Sequence, residues 1–228
     1  MKKKRAVKLR QSERTELSDQ RMINKAIEML LQHGMSGLRL THVGVRAGYS
    51  RGLAAMRFGS RQGLLRRVAK HLGQRWIETL TEALRDKSGL AAIYAAIDTQ
   101  EHWLTVSPRT ILGQYLIFFH SMDPGAAGRL NAARVVVAQR RDLSRWIREA
   151  VAAGEVPADT DPEAEAGSIL SSMIGIIFQA LMDPEVSAST LCRRLKSEIA
   201  ARLAVSPARR NDSMFEVPVA SSRRARRL

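Results

Sequence analysis

The chain has 228 residues, of which 45% are hydrophobic, and carries 37 lysine and arginine residues against 22 aspartate and glutamate residues, a formal net charge of +15. This length and hydrophobic content suffice to bury a sizeable core, and the charge favours a polyanionic partner. The single cysteine, Cys192, excludes an internal disulfide framework, and no cysteine and histidine spacing resembles a zinc site. We therefore expect neither a metal site nor a cofactor.

The charge is unevenly distributed along the chain. Residues 1–70 carry 17 basic and 4 acidic side chains, residues 71–204 carry 14 and 16, and residues 205–228 carry 6 and 2. No apolar signal-peptide core follows the basic start, and the most apolar window, Ile169 to Met182, is too short to span a bilayer. These features predict a cytoplasmic protein with a basic N-terminal module and a near-neutral body.

Helical periodicity dominates the N-terminal third, without the sustained alternation that is typical of strands. The pattern predicts a first helix that is capped by Ser18 and ends at His33-Gly34. A short second helix follows Gly37 and stops at Gly48.

The next two predicted helices begin at serines. Ser50 is expected to cap the third helix, which ends near Phe58-Gly59, and Ser60 is expected to cap a long fourth helix. Beyond Ser88, proline-containing breaks delimit five more helices, at 89–105, 108–122, 125–153, 162–182 and 187–204.

These elements predict an all-α protein of about nine helices. We expect a basic disordered arm at 1–17, a three-helix domain at 18–66, a larger helical domain at 67–204 and a basic disordered tail at 205–228.

The segment "AGYSRGLAAMRF" at 47–58 has two possible interpretations. Gly48, Ser50 and Gly52 match the G-x-S-x-G pattern of a hydrolase nucleophile elbow, with histidines available later at 71, 102 and 120. The same residues suit the tight turn of a helix-turn-helix, in which Gly48 ends one helix and Ser50 caps the next. The sequence around Ser50 lacks the alternating strand and helix units that would build a hydrolase sheet. The helix-turn-helix interpretation therefore accounts for more of the residues.

The run "THVGVRAGYSRGLAAMRFGSRQGLL" resembles the DNA-binding domain of the tetracycline-repressor (TetR) family of bacterial regulators over residues 18–66. Residues 154–184 resemble, more loosely, the penultimate helix of that family. The sequence departs from the family pattern at Ala54-Ala55, where an aliphatic residue and a tyrosine are usual, and at Arg61, where lysine is usual.

The resemblance implies a homodimer whose recognition helices enter successive major grooves of a pseudo-palindromic operator. Arg51 and Arg57 are expected to contact bases, and Thr41 and Arg61 to contact phosphates. The full expected DNA-binding set is Arg39, Thr41, Ser50, Arg51, Gly52, Leu53, Ala55, Met56, Arg57 and Arg61. A basic arm adds Lys2, Lys3, Lys4, Arg5, Lys8 and Arg10.

The resemblance also implies dimerisation and binding of a small apolar or amphipathic effector by the body. The apolar residues of the last two helices are expected to form the dimer interface: Ile169, Met173, Ile176, Ile177, Leu181, Leu191 and Leu195. Larger side chains of the middle helices are expected to line a ligand pocket: His102, Trp103, Tyr115, Phe119, His120, Met122 and Trp146.

Three functions therefore stand as hypotheses. The first is a sequence-specific, non-enzymatic transcriptional regulator, most simply a ligand-responsive repressor. The second is a nonspecific binder of nucleic acid or anionic membrane that acts through its basic ends. The third is a serine hydrolase with Ser50 as its nucleophile.

Overall fold

A computed structural model describes residues 10–123 and 129–203, with the side chains of 129–131 excepted. Within these residues the chain forms nine α-helices and no strand, which confirms the all-α prediction. The helices are α1 Gln11–His33, α2 Leu40–Arg46, α3 Leu53–Phe58, α4 Arg61–Ala83, α5 Gly89–Val106, α6 Pro108–His120, α7 Arg129–Ala152, α8 Pro162–Met182 and α9 Ala188–Arg202.

The first helix begins earlier than the sequence predicts. Ser18 lies inside α1, where it is buried and its hydroxyl donates to the Thr15 carbonyl at 2.7 Å. Because that bond satisfies the hydroxyl within the helix, Ser18 does not act as a cap. The helix starts after Arg10, whose backbone N–H donates to the Glu13 carboxylate at 2.6 Å. The predicted start at Ser18 is wrong, and Lys2, Lys3, Lys4, Arg5 and Lys8 lie outside the described residues.

The first four helices share one hydrophobic core. Their apolar stripes converge because each helix places an aliphatic or aromatic residue every three or four positions toward the others. Fully buried members are Met22, Ala26, Leu30, Leu38, Val43, Ala54, Leu64 and Val68.

The turn between α2 and α3 brings two backbones into contact. A Cβ atom on Gly44 would lie 2.7 Å from the carbonyl oxygen of Ser50, so only glycine fits there. Gly48 has φ +82°, which ends α2 with a conformation that glycine adopts without strain. The predicted cap by Ser50 is wrong, because α3 begins at Leu53 with Gly52 as its N-cap and no side-chain capping bond.

The body packs α5, α7, α8 and α9 around a second core. Cys192 is fully buried in it, and burial raises the pKa of this thiol to about 11, so that it stays protonated at neutral pH. The N-terminus of α5 is held from outside the helix, because the Leu90 N–H donates to the Glu155 carboxylate at 2.8 Å.

Helix α6 connects the two cores. Its Ile117 belongs to the N-terminal core and its Ile111 to the core of the body. Gly113 faces α1 and α4, where a Cβ atom would make ordinary contacts at 3.4 Å from Leu72 and 3.7 Å from Leu31.

Alanine substitution of two glycines in α4 tests the close approach between α3 and α4. A Cβ atom on Gly63 would lie 1.9 Å from the Phe58 carbonyl oxygen, whereas one on Gly73 would meet no atom within 4 Å. Both alanine substitutions gain the same helix propensity, up to about 1 kcal/mol. We expect urea denaturation to show that Gly63→Ala lowers the free energy of unfolding by about 1–3 kcal/mol and that Gly73→Ala does not. Equal stability of the two variants would contradict this packing.

Candidate nucleic-acid interface

One continuous surface is formed by α2, the turn and α3. It is exposed because the opposite sides of both helices face the N-terminal core. The exposed members of the expected DNA-binding set on this surface are Arg39, Thr41, Ser50, Arg51, Gly52, Ala55 and Met56. We call these seven residues the recognition surface.

Helix α3 contributes little polar chemistry to this surface. Ala54 and Phe58 are buried in the N-terminal core, and Leu53 is half-buried. Ala55 is exposed, and the Met56 side chain is 71% exposed. The helix thus presents aliphatic and thioether groups to solvent.

Arg57 faces α1 rather than the recognition surface. Its Nη2 donates to Thr15 Oγ1 at 3.1 Å, and its Nε lies 3.6 Å from the Asp19 carboxylate. Asp19 also lies 3.6 Å from the Arg67 guanidinium. These contacts hold α3 on α1, and the base contact expected for Arg57 from the sequence stays a prediction that would require this ion pair to break.

Arg61 is also engaged by the protein itself. Its Nε donates to the Leu38 carbonyl at 3.1 Å, and its Nη2 donates to the Met35 carbonyl. These bonds fasten the start of α4 to the loop between α1 and α2. Arg61 therefore has a structural role, and the phosphate contact expected from the sequence stays a prediction.

A basic cleft lies beside the recognition surface and was missed by the sequence analysis. It has a volume of about 590 Å³, and Arg66, Arg67 and Lys70 of α4 line it together with Asp19 and Met56. The spacing of three cations along "RRVAK" at 66–70 could have indicated a positive helix face.

Ser50 lies in a turn between two helices. A nucleophile elbow requires a strand before the serine, and the segment before Ser50 is the helix α2. His71, one of the histidines available to a triad, contacts the Gln20 side chain between α1 and α4 at 3.4 Å. This geometry does not support the hydrolase hypothesis.

The expected ligand-pocket residues differ widely in their exposure to solvent. Trp103 and Trp146 are buried in the core of the body, whereas Phe119 and Met122 are 44% and 62% exposed near the end of α6. His102 is exposed, and Tyr115 and His120 are half-buried. The ligand pocket stays a prediction, because large side chains at helical spacing are equally suited to core packing and to the surface.

Two aromatic residues of this set have distinctive surroundings. The Trp103 indole N–H is buried without a hydrogen-bond partner among the described residues, and the Arg75 guanidinium lies 5.4 Å from the ring centroid. Burial raises the pKa of Tyr115 to about 12, so its hydroxyl is neutral at physiological pH.

The predicted dimer residues lie mostly inside the chain's own core. Leu181 and Leu191 are half-buried, and five members of the set are buried: Ile169, Met173, Ile176, Ile177 and Leu195. They pack α8 against α5, α7 and α9 instead of facing outward. The dimer interface stays a prediction, and because α8 is apolar over most of its circumference its other side is a second candidate.

The outward side of α8 carries Ser171, Gly175, Phe178 and Met182, at helical spacing; we call these four residues the α8 outer face. Phe178 is 49% exposed and Met182 is 70% exposed. Among the described residues, α8 is the one helix long and apolar enough to cross a membrane, because it extends back to Pro162, beyond the window considered from sequence. Only a third of its most apolar window is buried within the chain.

The sequence matches no family model and no curated protein. Its fold is similar to that of solved transcriptional regulators. A TetR regulator from Chloroflexus aurantiacus J-10-FL superposes with a TM-score of 0.70 at 17% identity, covering 82% of this chain and 96% of that one. A TetR-family regulator from Cytophaga hutchinsonii gives a TM-score of 0.68 at 16% identity, covering 88% and 100% of the respective chains.

A third solved structure is SmeT, the repressor of the Stenotrophomonas maltophilia multidrug efflux pump SmeDEF. It gives a TM-score of 0.65 at 16% identity and covers 81% of this chain and 89% of its own. The expected TetR resemblance is confirmed at the level of the fold.

The structural role of Arg61 can be tested by stability. We expect Arg61→Ala to lower the free energy of unfolding by about 1–3 kcal/mol, because two carbonyl groups lose charged donors. Arg66→Ala, on the exposed side of the same helix, should change it by no more than about 0.5 kcal/mol. Thermal and urea unfolding of both variants provide the measurement, and an Arg61 effect as small as that of Arg66 would contradict the assignment.

Proposed function

We propose that this chain is a TetR-family transcriptional regulator that binds a pseudo-palindromic DNA operator in the cytoplasm as a homodimer. The observation that carries the proposal is the recognition surface, an exposed helix-turn-helix face in the most basic part of a chain with the TetR fold. Such a face presents a short helix that fits the major groove while neighbouring cations meet phosphates.

Electrostatics support a nucleic-acid partner. Arg39, Thr41 and Arg51 of the recognition surface are exposed, and the basic cleft with Arg66, Arg67 and Lys70 lies beside them. Cations at the edges of a recognition helix fix the register of the protein on the duplex through phosphate contacts. We propose that the basic cleft meets the sugar-phosphate backbone next to the half-site.

We propose that the α8 outer face forms the dimer interface. Phe178 and Met182 are large, apolar and exposed, while Gly175 and Ser171 allow a second helix to approach closely. Large exposed apolar side chains grouped on one helix are typical of an interface. A second copy that covers this face by two-fold symmetry would also set the separation of the two recognition surfaces.

We propose that an effector acts on DNA affinity through α6. This helix touches the N-terminal core at Ile117 and approaches Leu31 and Leu72 at Gly113. An effector that binds the body more tightly in one position of α6 would shift the equilibrium between two orientations of the recognition surface. A decrease of DNA affinity on effector binding would make the protein a repressor released by its ligand.

The DNA-binding proposal is tested by selection from a random duplex pool, followed by affinity measurements with the selected and a scrambled site. We expect a pseudo-palindrome with half-sites about one helical turn apart. Arg51→Ala should weaken specific binding by about 1–3 kcal/mol and relax the preference at one position of each half-site. Arg140→Ala, on the exposed side of α7, is the matched control and should have no effect.

The same assay separates the proposal from nonspecific binding through the chain ends. Removal of residues 1–10 and 206–228 should reduce affinity and its salt dependence but preserve the preference for the selected site. Loss of all binding on this truncation, or equal affinity for the scrambled site, would favour the nonspecific binder.

The dimer proposal predicts that Phe178→Glu converts the protein to monomers. A carboxylate in the centre of an apolar interface carries a desolvation cost that weakens association at least about tenfold. Ile77→Glu replaces an equally exposed apolar side chain on α4 and should leave the dimer intact. Light scattering across a concentration series measures both, and a dimeric Phe178→Glu protein would exclude the α8 outer face as the interface.

A further inference from the structure

The exposed side of α3 has no free hydrogen-bonding side chain. Arg57, the one polar residue of this six-residue helix, is held against α1 by Thr15 and Asp19. The exposed side chains that remain are those of Ala55 and Met56, and Met56 is 71% exposed. Ala55 ends at its Cβ atom, so Met56 is the side chain of α3 that extends furthest from the helix.

The chemistry of the major groove restricts what such a side can recognise. Guanine, adenine and cytosine present hydrogen-bond donors and acceptors there, and thymine adds one apolar group, its C5-methyl. A thioether side chain placed on the polar edges removes water from them without replacing its hydrogen bonds, which costs free energy. The same side chain placed on a methyl group removes apolar surface from water, which is favourable.

The surroundings of Met56 exclude a purely apolar occupant. The uncharged Thr41 is exposed on α2. Three cations lie nearby: Arg51 just before α3, and Arg66 and Lys70 in the cleft that Met56 also lines. An apolar protein surface or a lipid interior would have to desolvate these cations, whereas a DNA duplex pairs with them through its phosphates. An apolar contact by Met56, with cations on neighbouring positions, therefore fits a methyl group in the groove of an anionic duplex.

We infer that Met56, with Ala55 beside it, recognises thymine C5-methyl groups, and that each half-site carries thymine where α3 enters the groove. This inference rests on the proposed DNA-binding function. Arg51 and Thr41 supply polar contacts on either side of the methyl contact. The three rotatable bonds of methionine let it follow the methyl group as the helix settles in the groove.

Deoxyuridine provides the test, because it keeps the base pair and lacks only the C5-methyl group. Each thymine of the selected half-site is replaced singly by deoxyuridine, and the affinity of full-length protein for each duplex is measured by fluorescence anisotropy. The proteins compared are wild type, Met56→Ala, Met56→Leu and the control Val137→Ala. Val137 is 64% exposed on α7, in the body of the protein.

We expect at least one deoxyuridine position per half-site to weaken wild-type binding about fourfold, the effect of losing one buried methyl-sized group. In Met56→Ala the same replacement should have less than half this effect, because the methyl group has lost its partner. Met56→Leu should retain the penalty, since it keeps an apolar side chain of similar volume, and Val137→Ala should behave like wild type. Circular dichroism confirms that each variant is folded.

Two results would overturn the inference while leaving the proposed function in place. One is a selected half-site at which no deoxyuridine replacement weakens binding. The other is a deoxyuridine penalty that is equal in wild type and Met56→Ala, because the methyl group would then be recognised by another residue. If the pool yields no preferred sequence at all, the DNA-binding proposal fails and the inference fails with it.

Discussion

The geometry of the recognition surface depends on the contact between Gly44 and the backbone of Ser50. A Cβ atom at Gly44 would lie 2.7 Å from the Ser50 carbonyl oxygen, so α2 and α3 meet with no side chain between them at this point. Ala54, fully buried, then faces the same crossing from α3. Close contact of this kind leaves one angle between the helices, and that angle determines which residues of α3 are exposed.

The tertiary contacts that hold α3 are needed because this helix is short. A helix of six residues has few internal hydrogen bonds and gains little stability by itself, so tertiary contacts must hold it. Phe58 provides the apolar contact and Arg57 the polar one, through Thr15 and Asp19. Arg61 then fixes the start of α4 against the preceding loop. The side chains of Arg57 and Arg61 are therefore both engaged by the protein itself.

Local pattern predicted the helices well and the partners of individual side chains poorly. The nine helices are close to their predicted positions because glycine, proline and apolar spacing are local signals. The cap at Ser60 was correct, since its hydroxyl accepts from the Gly63 N–H at 3.0 Å. The role of Arg57 depends on Asp19, which is 38 positions earlier in the chain, and no local pattern contains that information.

Helix α8 also shows that a local sequence pattern does not identify the packing partner of a side chain. Periodicity identifies an apolar stripe but does not state whether its partner is the same chain or a second copy. Here the aliphatic residues such as Ile169 and Ile176 fill the chain's own core, while Phe178 and Met182 remain exposed on the opposite side.

A helix that is apolar on both sides suits a position between two packed units. One side then joins α8 to α5, α7 and α9, and the other carries the exposed Met182 and Phe178, whose ring meets that of Phe119 of α6 edge to face. Because α5 also contacts α4 and α6, packed helices connect α8 with α4, and α3 packs against α4. In the dimer that we propose, the contact between the two copies and the position of α3 would therefore be joined through the core of the body.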